Sequence, residues 1–185
     1  MDDNRMLLAL ALALAVLVLA GTLSGLSSAS PPHRATPKPG TLTAREAPRG
    51  NVRLTRRLRA VTWRWQLVMG RRRSRLAVPL DTRRALRFWR QKARLVRRLA
   101  AHPPHRTSWQ CIHRFEGSWR DSGDPYWGGL QMDRGFMRSY APRTLLRRGW
   151  ANHWSPLEQM WVAEHAHRGR GYSPWPNTAR YCGLL

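Results

Sequence analysis

The chain has 185 residues, with 33 Lys or Arg against 10 Asp or Glu, and a formal net charge of +23. This length allows one ordinary domain or a smaller domain with appendages, and a hydrophobic content of 42% excludes a fully disordered polyelectrolyte. Two cysteines exclude a cysteine-rich zinc framework and a multi-disulfide miniprotein. The charge predicts an acidic partner: nucleic acid, anionic lipid or an anionic cell-wall polymer.

The first predicted element is a hydrophobic segment at the N-terminus. Residues 6–23 carry no charge and are mostly Leu and Ala, and a Ser-Ser-Ala run follows at 27–29. This order is typical of a signal peptide over residues 1–29, although the head Met-Asp-Asp-Asn-Arg is net acidic. Eighteen uncharged residues can also span a bilayer as an anchor. Both interpretations predict export, to a secreted or cell-envelope location.

A linker and a basic helical region are predicted next. Residues 30–52 are rich in Pro, Thr and Arg and indicate an extended linker, whereas residues 53–100 carry 17 basic residues and one acid, Asp81. Pro79 divides this basic region, with Asp81 as the expected N-cap of the second helix and His-Pro-Pro-His at 102–105 as its stop. Apolar residues recur at helical spacing on both sides of the proline: Leu54, Leu58, Val61, Trp65 and Val68, then Leu86, Trp89, Ala93, Val96 and Ala100.

The basic amphipathic helices over residues 53–104 have three interpretations. They can lie on anionic wall polymers or on a membrane surface, where Trp63, Trp65 and Trp89 would insert at the interface. They can bind nucleic acid through its phosphates, but an exported chain meets little of it and no base-reading motif accompanies the charge. They can also be a solvated stalk whose apolar stripe packs on itself.

Residues 105–185 form a predicted aromatic-rich globular domain, with 7 of the 10 Trp and all four Tyr. Such a small domain buries a modest core, so a covalent link is expected to help. Cys111 and Cys182 lie near its two ends, and in an exported chain they predict a disulfide. A zinc site through Cys111 and His113 lacks a recognisable second pair of ligands, so no metal and no cofactor are predicted.

The chemistry of this domain is concentrated around Glu116. A carboxyl group beside aromatic residues, here Phe115 and Trp119, is disfavoured as an anion, and a retained proton is what a general acid for glycosidic cleavage requires. Tyr126 and Trp127 then offer faces on which sugar rings can pack. The paired glycines Gly128 and Gly129 would let the backbone approach a ligand closely, and Gln131 follows them.

These motifs resemble the transglycosylase-like domain of actinobacterial resuscitation-promoting factors. The similarity covers residues 109–185: Glu-Gly-Ser-Trp at 116–119, Tyr-Trp-Gly-Gly-Leu-Gln-Met at 126–132, Ser-Pro-Leu-Glu-Gln at 155–159, Val-Ala-Glu at 162–164, Gly-Tyr-Ser-Pro-Trp-Pro at 171–176 and Cys-Gly-Leu at 182–184. Family members usually carry a cysteine immediately before the catalytic glutamate, whereas here Cys111 precedes Glu116 by five residues. The resemblance implies an α+β, mainly helical, lysozyme-like domain, with Glu116 as catalytic acid and Cys111–Cys182 as disulfide.

The implied function is cleavage of peptidoglycan glycan strands between N-acetylmuramic acid and N-acetylglucosamine. Glu116 would protonate the glycosidic oxygen and then act as a base, while Tyr126, Trp127, Gln131 and Asn177 orient the sugar. The glycan cleft would include the Gly-Gly-Leu-Gln segment at 128–131. The alternative is a non-catalytic cell-wall or polyanion-binding protein that keeps the same fold.

The other acids of the domain receive lesser roles. A helix is expected to begin at Ser155 with a capping box that includes Glu158. Glu164 on that helix could be a second active-site acid, but a place on a charged helix face is the expectation. The aspartates have no matching motif: Asp121, Asp124 and Asp133. The resemblance therefore implies that the sugar's own 6-hydroxyl attacks and leaves a 1,6-anhydromuramyl end.

Overall fold

The computed structural model describes residues 46–185, with side chains from residue 51 onward. The predicted hydrophobic segment at 6–23 and most of the predicted linker lie outside these residues. Within the described part of the chain, no helix combines the length and the apolar character needed to cross a membrane.

The described residues are mainly helical, which confirms the coarse fold class. The helices are α1 (Glu46–Val68), α2 (Arg83–Ala100), α3 (Arg106–Glu116), α4 (Arg134–Tyr140), α5 (Arg143–Leu146), α6 (Pro156–Arg170) and α7 (Pro176–Tyr181), with a 3-10 turn at Ala151–His153. Two short strands lie between α3 and α4: β1 (Tyr126–Trp127) and β2 (Met132–Asp133). They pair antiparallel, with Tyr126 opposite Asp133 and Trp127 opposite Met132.

Helix α2 follows its predicted apolar stripe, since all five predicted positions are buried. Its N-cap is Thr82 and not the predicted Asp81. Thr82 has an extended backbone conformation that brings its hydroxyl within 3.1 Å of the Ala85 N–H, which donates to it. Both residue types can cap a helix, so the sequence pattern alone left the boundary one residue uncertain. The helix ends at Ala100, before the predicted His-Pro-Pro-His stop.

Helix α1 buries a face that the apolar pattern did not predict. Thr55, Thr62 and Gln66 are buried, whereas the predicted core residue Leu54 is 37% exposed. The two threonine hydroxyls donate to the carbonyls four residues earlier, at 2.7 and 2.8 Å. Gln66 donates to the Ser74 hydroxyl and accepts from its N–H. These polar side chains can be buried because their hydrogen bonds are satisfied within the helix and the following loop.

The hydrophobic core continues from the basic helices into the C-terminal region. Val68 and Met69 at the end of α1, and Val96 and Ala100 on α2, belong to the same cluster of buried residues as the core tryptophans of residues 105–185. The Trp161 indole on α6 also donates to the Ala100 carbonyl at 2.9 Å. The apolar stripes of α1 and α2 therefore pack partly on each other and partly on the C-terminal helices.

The tryptophans of the basic helices, which one interpretation places at a membrane interface, are buried or partly buried. Trp89 is only 2% exposed, and Trp63 packs against it edge to face with 5.9 Å between ring centroids. Trp65 is partly buried against the core. Packing of α1 on α2 therefore covers Trp89 and part of the surface of Trp63.

Two acids of α6 are built into the fold. The predicted capping box is confirmed: the Ser155 hydroxyl accepts from the Glu158 N–H, and Glu158 accepts from the Ser155 N–H. The expectation that Glu164 lies on a charged helix face is wrong. It is buried, and its Oε1 accepts from the Trp109 indole and from the His105 N–H, both at 2.8 Å. A carboxylate can be buried when two N–H groups donate hydrogen bonds to it. Sequence spacing alone does not reveal such donors.

Candidate active site

The end of α3 places Glu116 at the edge of a cavity. Gly117 follows with φ +132°, a conformation that glycine adopts readily, and it ends the helix. Helix α7 packs against α3, and the disulfide Cys111–Cys182 joins the two with 6.0 Å between the Cα atoms. This bond confirms the predicted pairing. It closes a loop of 71 residues around the site.

The cavity beside Glu116 has a volume of about 320 Å³. Four of the predicted site residues line it together: Glu116, Tyr126, Gln131 and Asn177. Its remaining walls come from the Pro-Trp-Pro run at 174–176. A second cavity of about 150 Å³ shares Tyr126 and Gln131 with it, so the two form one groove along β1, β2 and the start of α7.

Thr178 fixes one oxygen of the Glu116 carboxyl group. Its hydroxyl donates to Glu116 Oε1 at 2.8 Å, and the threonine itself is buried. Because Oε1 accepts this bond, Oε2 is the oxygen that can carry a proton toward a ligand. Thr178 was not predicted, since a single threonine beside Asn177 carries no recognisable chemical pattern.

Gln131 is held in place by Asp121. The Gln131 amide nitrogen donates to Asp121 Oδ2 at 2.6 Å and to the Gly128 carbonyl at 3.1 Å. The Gly123 N–H, and then the Gln131 amide, hold the pKa of Asp121 below its usual value, so Asp121 is a fixed anion at neutral pH. With the amide nitrogen engaged, the amide oxygen of Gln131 is the atom that can accept from a ligand.

The backbone at Gln131 is unusual for a residue with a side chain. Its φ is +46°, in the left-handed region that favours glycine. Such a conformation persists in a side-chain-bearing residue only when the surrounding contacts hold it, and such residues cluster at functional sites. The two hydrogen bonds of the Gln131 amide are contacts of this kind.

Trp127 and the glycine pair do not line the cavity. Trp127 is buried and packs on Trp150 with 5.8 Å between ring centroids. The Gly129 N–H donates to the buried Gln159 side chain at 2.9 Å. A Cβ atom at Gly129 would lie 2.6 Å from the His113 ring. The close approach expected of these glycines is therefore an approach to the protein interior, and these residues shape the loop that carries Gln131.

The aromatic setting of Glu116 also differs from the expectation. Phe115 is 56% exposed and packs on Tyr181, and Trp119 stacks on His113 with ring centroids 4.0 Å apart. The aromatic walls of the Glu116 cavity are Tyr126 and Trp175. Phe115 and Trp119 are close to Glu116 in sequence, but α3 ends at Gly117 and neither side chain lines the Glu116 cavity.

The remaining aspartates are engaged in local structure. Asp124 forms an exposed ion pair with Arg134 at 2.9 Å. Asp133 caps α4, where its carboxylate accepts from the Phe136 N–H at 2.7 Å. Of the residues that the structure describes, Glu116 is the one acid that lines the larger cavity.

Fold and site together define, over the described residues, a mainly helical structure in which the Glu116 carboxyl group, at a helix end, faces the larger cavity of the groove beside two amides. No protein-family model, curated protein or solved structure matches the chain.

Proposed function

We propose that the chain is an exported peptidoglycan-cleaving enzyme with a lysozyme-like domain, acting as a lytic transglycosylase on the bond between N-acetylmuramic acid and N-acetylglucosamine. One observation supports this proposal above the others. Glu116 lines a cavity together with Tyr126, Gln131 and Asn177, three further residues selected from the sequence. These residues come from α3, the strand pair and α7, and only the fold brings them together.

Glu116 acts first as an acid and then as a base. Its Oε2 proton passes to the glycosidic oxygen as the bond from that oxygen to the muramic C1 breaks, and the N-acetylglucosamine leaves with a hydroxyl group. The Glu116 carboxylate then takes the proton of the muramic 6-hydroxyl, whose oxygen bonds to C1. The sugar ends as a 1,6-anhydro ring, and Glu116 regains its proton.

Attack by the sugar's own 6-hydroxyl suits this site, because that reaction needs only one carboxyl group. Glycosidases that use water or an enzyme nucleophile place two carboxyl groups about the bond, roughly 5 to 9.5 Å apart. Here Asp121 is committed to Gln131 and to the Gly123 N–H, and Asp133, which lines the second cavity of the groove, caps α4. Tyr126, which is exposed, offers a face for a sugar ring, and the amides of Gln131 and Asn177 offer hydrogen bonds to hydroxyl and acetamido groups.

The test is digestion of purified peptidoglycan, with the products identified by mass spectrometry. Glu116→Gln keeps the shape and the bond from Thr178 but has no proton to donate, so we expect cleavage to be lost while the fold persists. Asp124→Asn removes an exposed acid of the same domain and is the matched control. Products with reducing muramyl ends would show that the bond is hydrolysed by water, and would contradict the transglycosylase route. Unchanged cleavage by Glu116→Gln would refute the proposed role of Glu116.

The second candidate function, binding of anionic wall polymers or lipid, is favoured by one face of α2. Four arginines line a groove of about 500 Å³ there: Arg87, Arg90, Arg94 and Arg98. Their spacing puts them on one side of the helix, opposite the buried stripe. A row of guanidinium groups matches a polymer with repeated phosphate or carboxylate groups.

This binding is tested by changing charge without deleting a helix that contributes to the core. Replacing the four groove arginines of α2 by Gln should weaken sedimentation with purified cell walls, and added salt should have the same effect. The control replaces four exposed arginines outside α2 and outside the groove, at positions 143, 147, 168 and 180, and changes the net charge equally. Equal binding by both variants would mean that position on α2 is irrelevant.

A further inference from the structure

Three side chains of metal-ligating type converge between the start of α3 and the C-terminal half of α6. They are His105, which precedes α3, and Glu164 and His167, which are three residues apart on α6 and so share a helix face. One ligand atom from each lies within 4.8 Å of the other two. None of the three residues lines the groove.

Glu164 is oriented as metal-binding carboxylates usually are. Its Oε1 accepts from the Trp109 indole and from the His105 N–H, both at 2.8 Å. These two bonds fix the buried carboxyl group and leave Oε2 directed at the cluster, 3.0 Å from His105 Nδ1. Hydrogen bonds of this kind around a ligand orient it and tune its affinity.

The two imidazoles face each other across the same space. Their ring centroids are 4.0 Å apart with the planes tilted by 45°, and Tyr172 packs against His167 at 4.5 Å. Among the described residues, the His167 ring nitrogens form no hydrogen bond, so both remain available to a ligand. The His105 side chain is 39% exposed, which gives an ion access from solvent.

We propose that His105, Glu164 and His167 form a binding site for a divalent transition-metal ion of the zinc class. Two imidazole nitrogens and one carboxylate oxygen are borderline donors that suit Zn²⁺ in tetrahedral geometry, with water in the fourth position. The ion takes the place of the hydrogen bond between His105 Nδ1 and Glu164 Oε2. It joins α3 to α6 and so stabilises the helix that ends at Glu116, without contact to the proposed substrate.

The test is calorimetric titration of Zn²⁺ into the full chain, purified free of metal in a nonionic detergent. Cys111 and Cys182 are joined in a disulfide, so thiolates do not compete for the ion. We expect one equivalent to bind, and zinc at 100 times its dissociation constant to raise the melting temperature by roughly 5 to 10 °C. Co²⁺ in the same site should give the visible absorption of a four-coordinate ion.

The matched variants are His167→Gln and His153→Gln. The first removes a ligand and should weaken binding by about 100-fold or more. The second removes an exposed histidine of the same region and should leave binding unchanged. If His167→Gln fails to fold, His105→Gln replaces it in the experiment and should weaken binding to a similar extent. Absence of stoichiometric zinc binding by the unaltered chain would overturn the proposal, as would equal affinity in a folded His167→Gln or His105→Gln variant.

Discussion

Acid should destabilise the fold through one buried carboxylate, Glu158. Its side chain is fully buried and forms ion pairs with Arg64 of α1 and Arg148, each at 2.6 Å. Burial alone would raise the pKa of Glu158, but hydrogen bonds from Arg148, Arg64 and the Ser155 N–H outweigh it and lower the pKa from 4.5 to about 2. In the unfolded chain the same group titrates near its ordinary value.

This difference sets both the size and the pH range of the effect. At about 1.36 kcal/mol per pKa unit, the change from 4.5 to about 2 corresponds to roughly 3 kcal/mol of free energy of unfolding. The two arginine side chains are 51% and 40% exposed, so solvent screens the pairs and we expect about 2 kcal/mol. The depressed pKa places this stabilisation fully above pH 4.5, and it is lost as the pH falls toward 2.

The assay is urea denaturation of the full chain, followed by tryptophan fluorescence, from neutral pH down to about pH 2. Glu158→Gln should remove about 2 kcal/mol of the loss on acidification, while the titration of other carboxyl groups remains in both proteins. At neutral pH, Arg64→Ala should cost about 1 kcal/mol and Arg53→Ala, on the same helix, close to none. The same loss on acidification in Glu158→Gln and in the unaltered chain would refute this account of the ion pairs.

Three further predictions concern the groove and its support. Thr178→Val should lower kcat for glycan cleavage by about tenfold with little change in KM, because the side chain positions Glu116 without facing the sugar; an unchanged kcat would contradict this. Gln131→Gly should be more stable than Gln131→Ala by about 1 kcal/mol, since glycine accepts the left-handed φ, while both lose activity. Equal urea midpoints would mean that the backbone there is unstrained. Reduction of Cys111–Cys182 should lower the free energy of unfolding by roughly 4 kcal/mol. Before reduction, the native protein should show no titratable thiol. Two thiols in the untreated protein would refute the bond.

Two predictions that depended on local rules agree with the structure. The stripe of α2 and the capping box at Ser155 each follow from residues within a few positions of one another, where helix geometry fixes which side chains meet. The disulfide was predictable because two cysteines allow only one intrachain pairing. Four residues selected from the sequence line one cavity, although they lie in separate segments and only the fold brings them together.

Several incorrect expectations depended on contacts that a sequence pattern does not show. A buried threonine such as Thr55 or Thr62 looks polar in a hydrophobicity pattern, but its hydroxyl bonds to its own helix and its methyl group packs. Gly129 could have faced a ligand or a side chain, and only the position of His113 decided between them. Glu164 depended likewise on Trp109, which is 55 residues away in sequence.

The continuous core between the basic helices and the rest of the protein changes how the charge can serve the proposed enzyme. A flexible, charged tether would let a catalytic domain sample a wide volume of wall around one attachment point. Here Met69 and Ala100 are buried with the tryptophans that support the groove, so the arginines of α2 keep a set distance and direction from Glu116. A wall polymer bound along α2 would be presented to the groove in one orientation. The proposed enzyme would then move along the wall by releasing the polymer and rebinding it as one rigid unit.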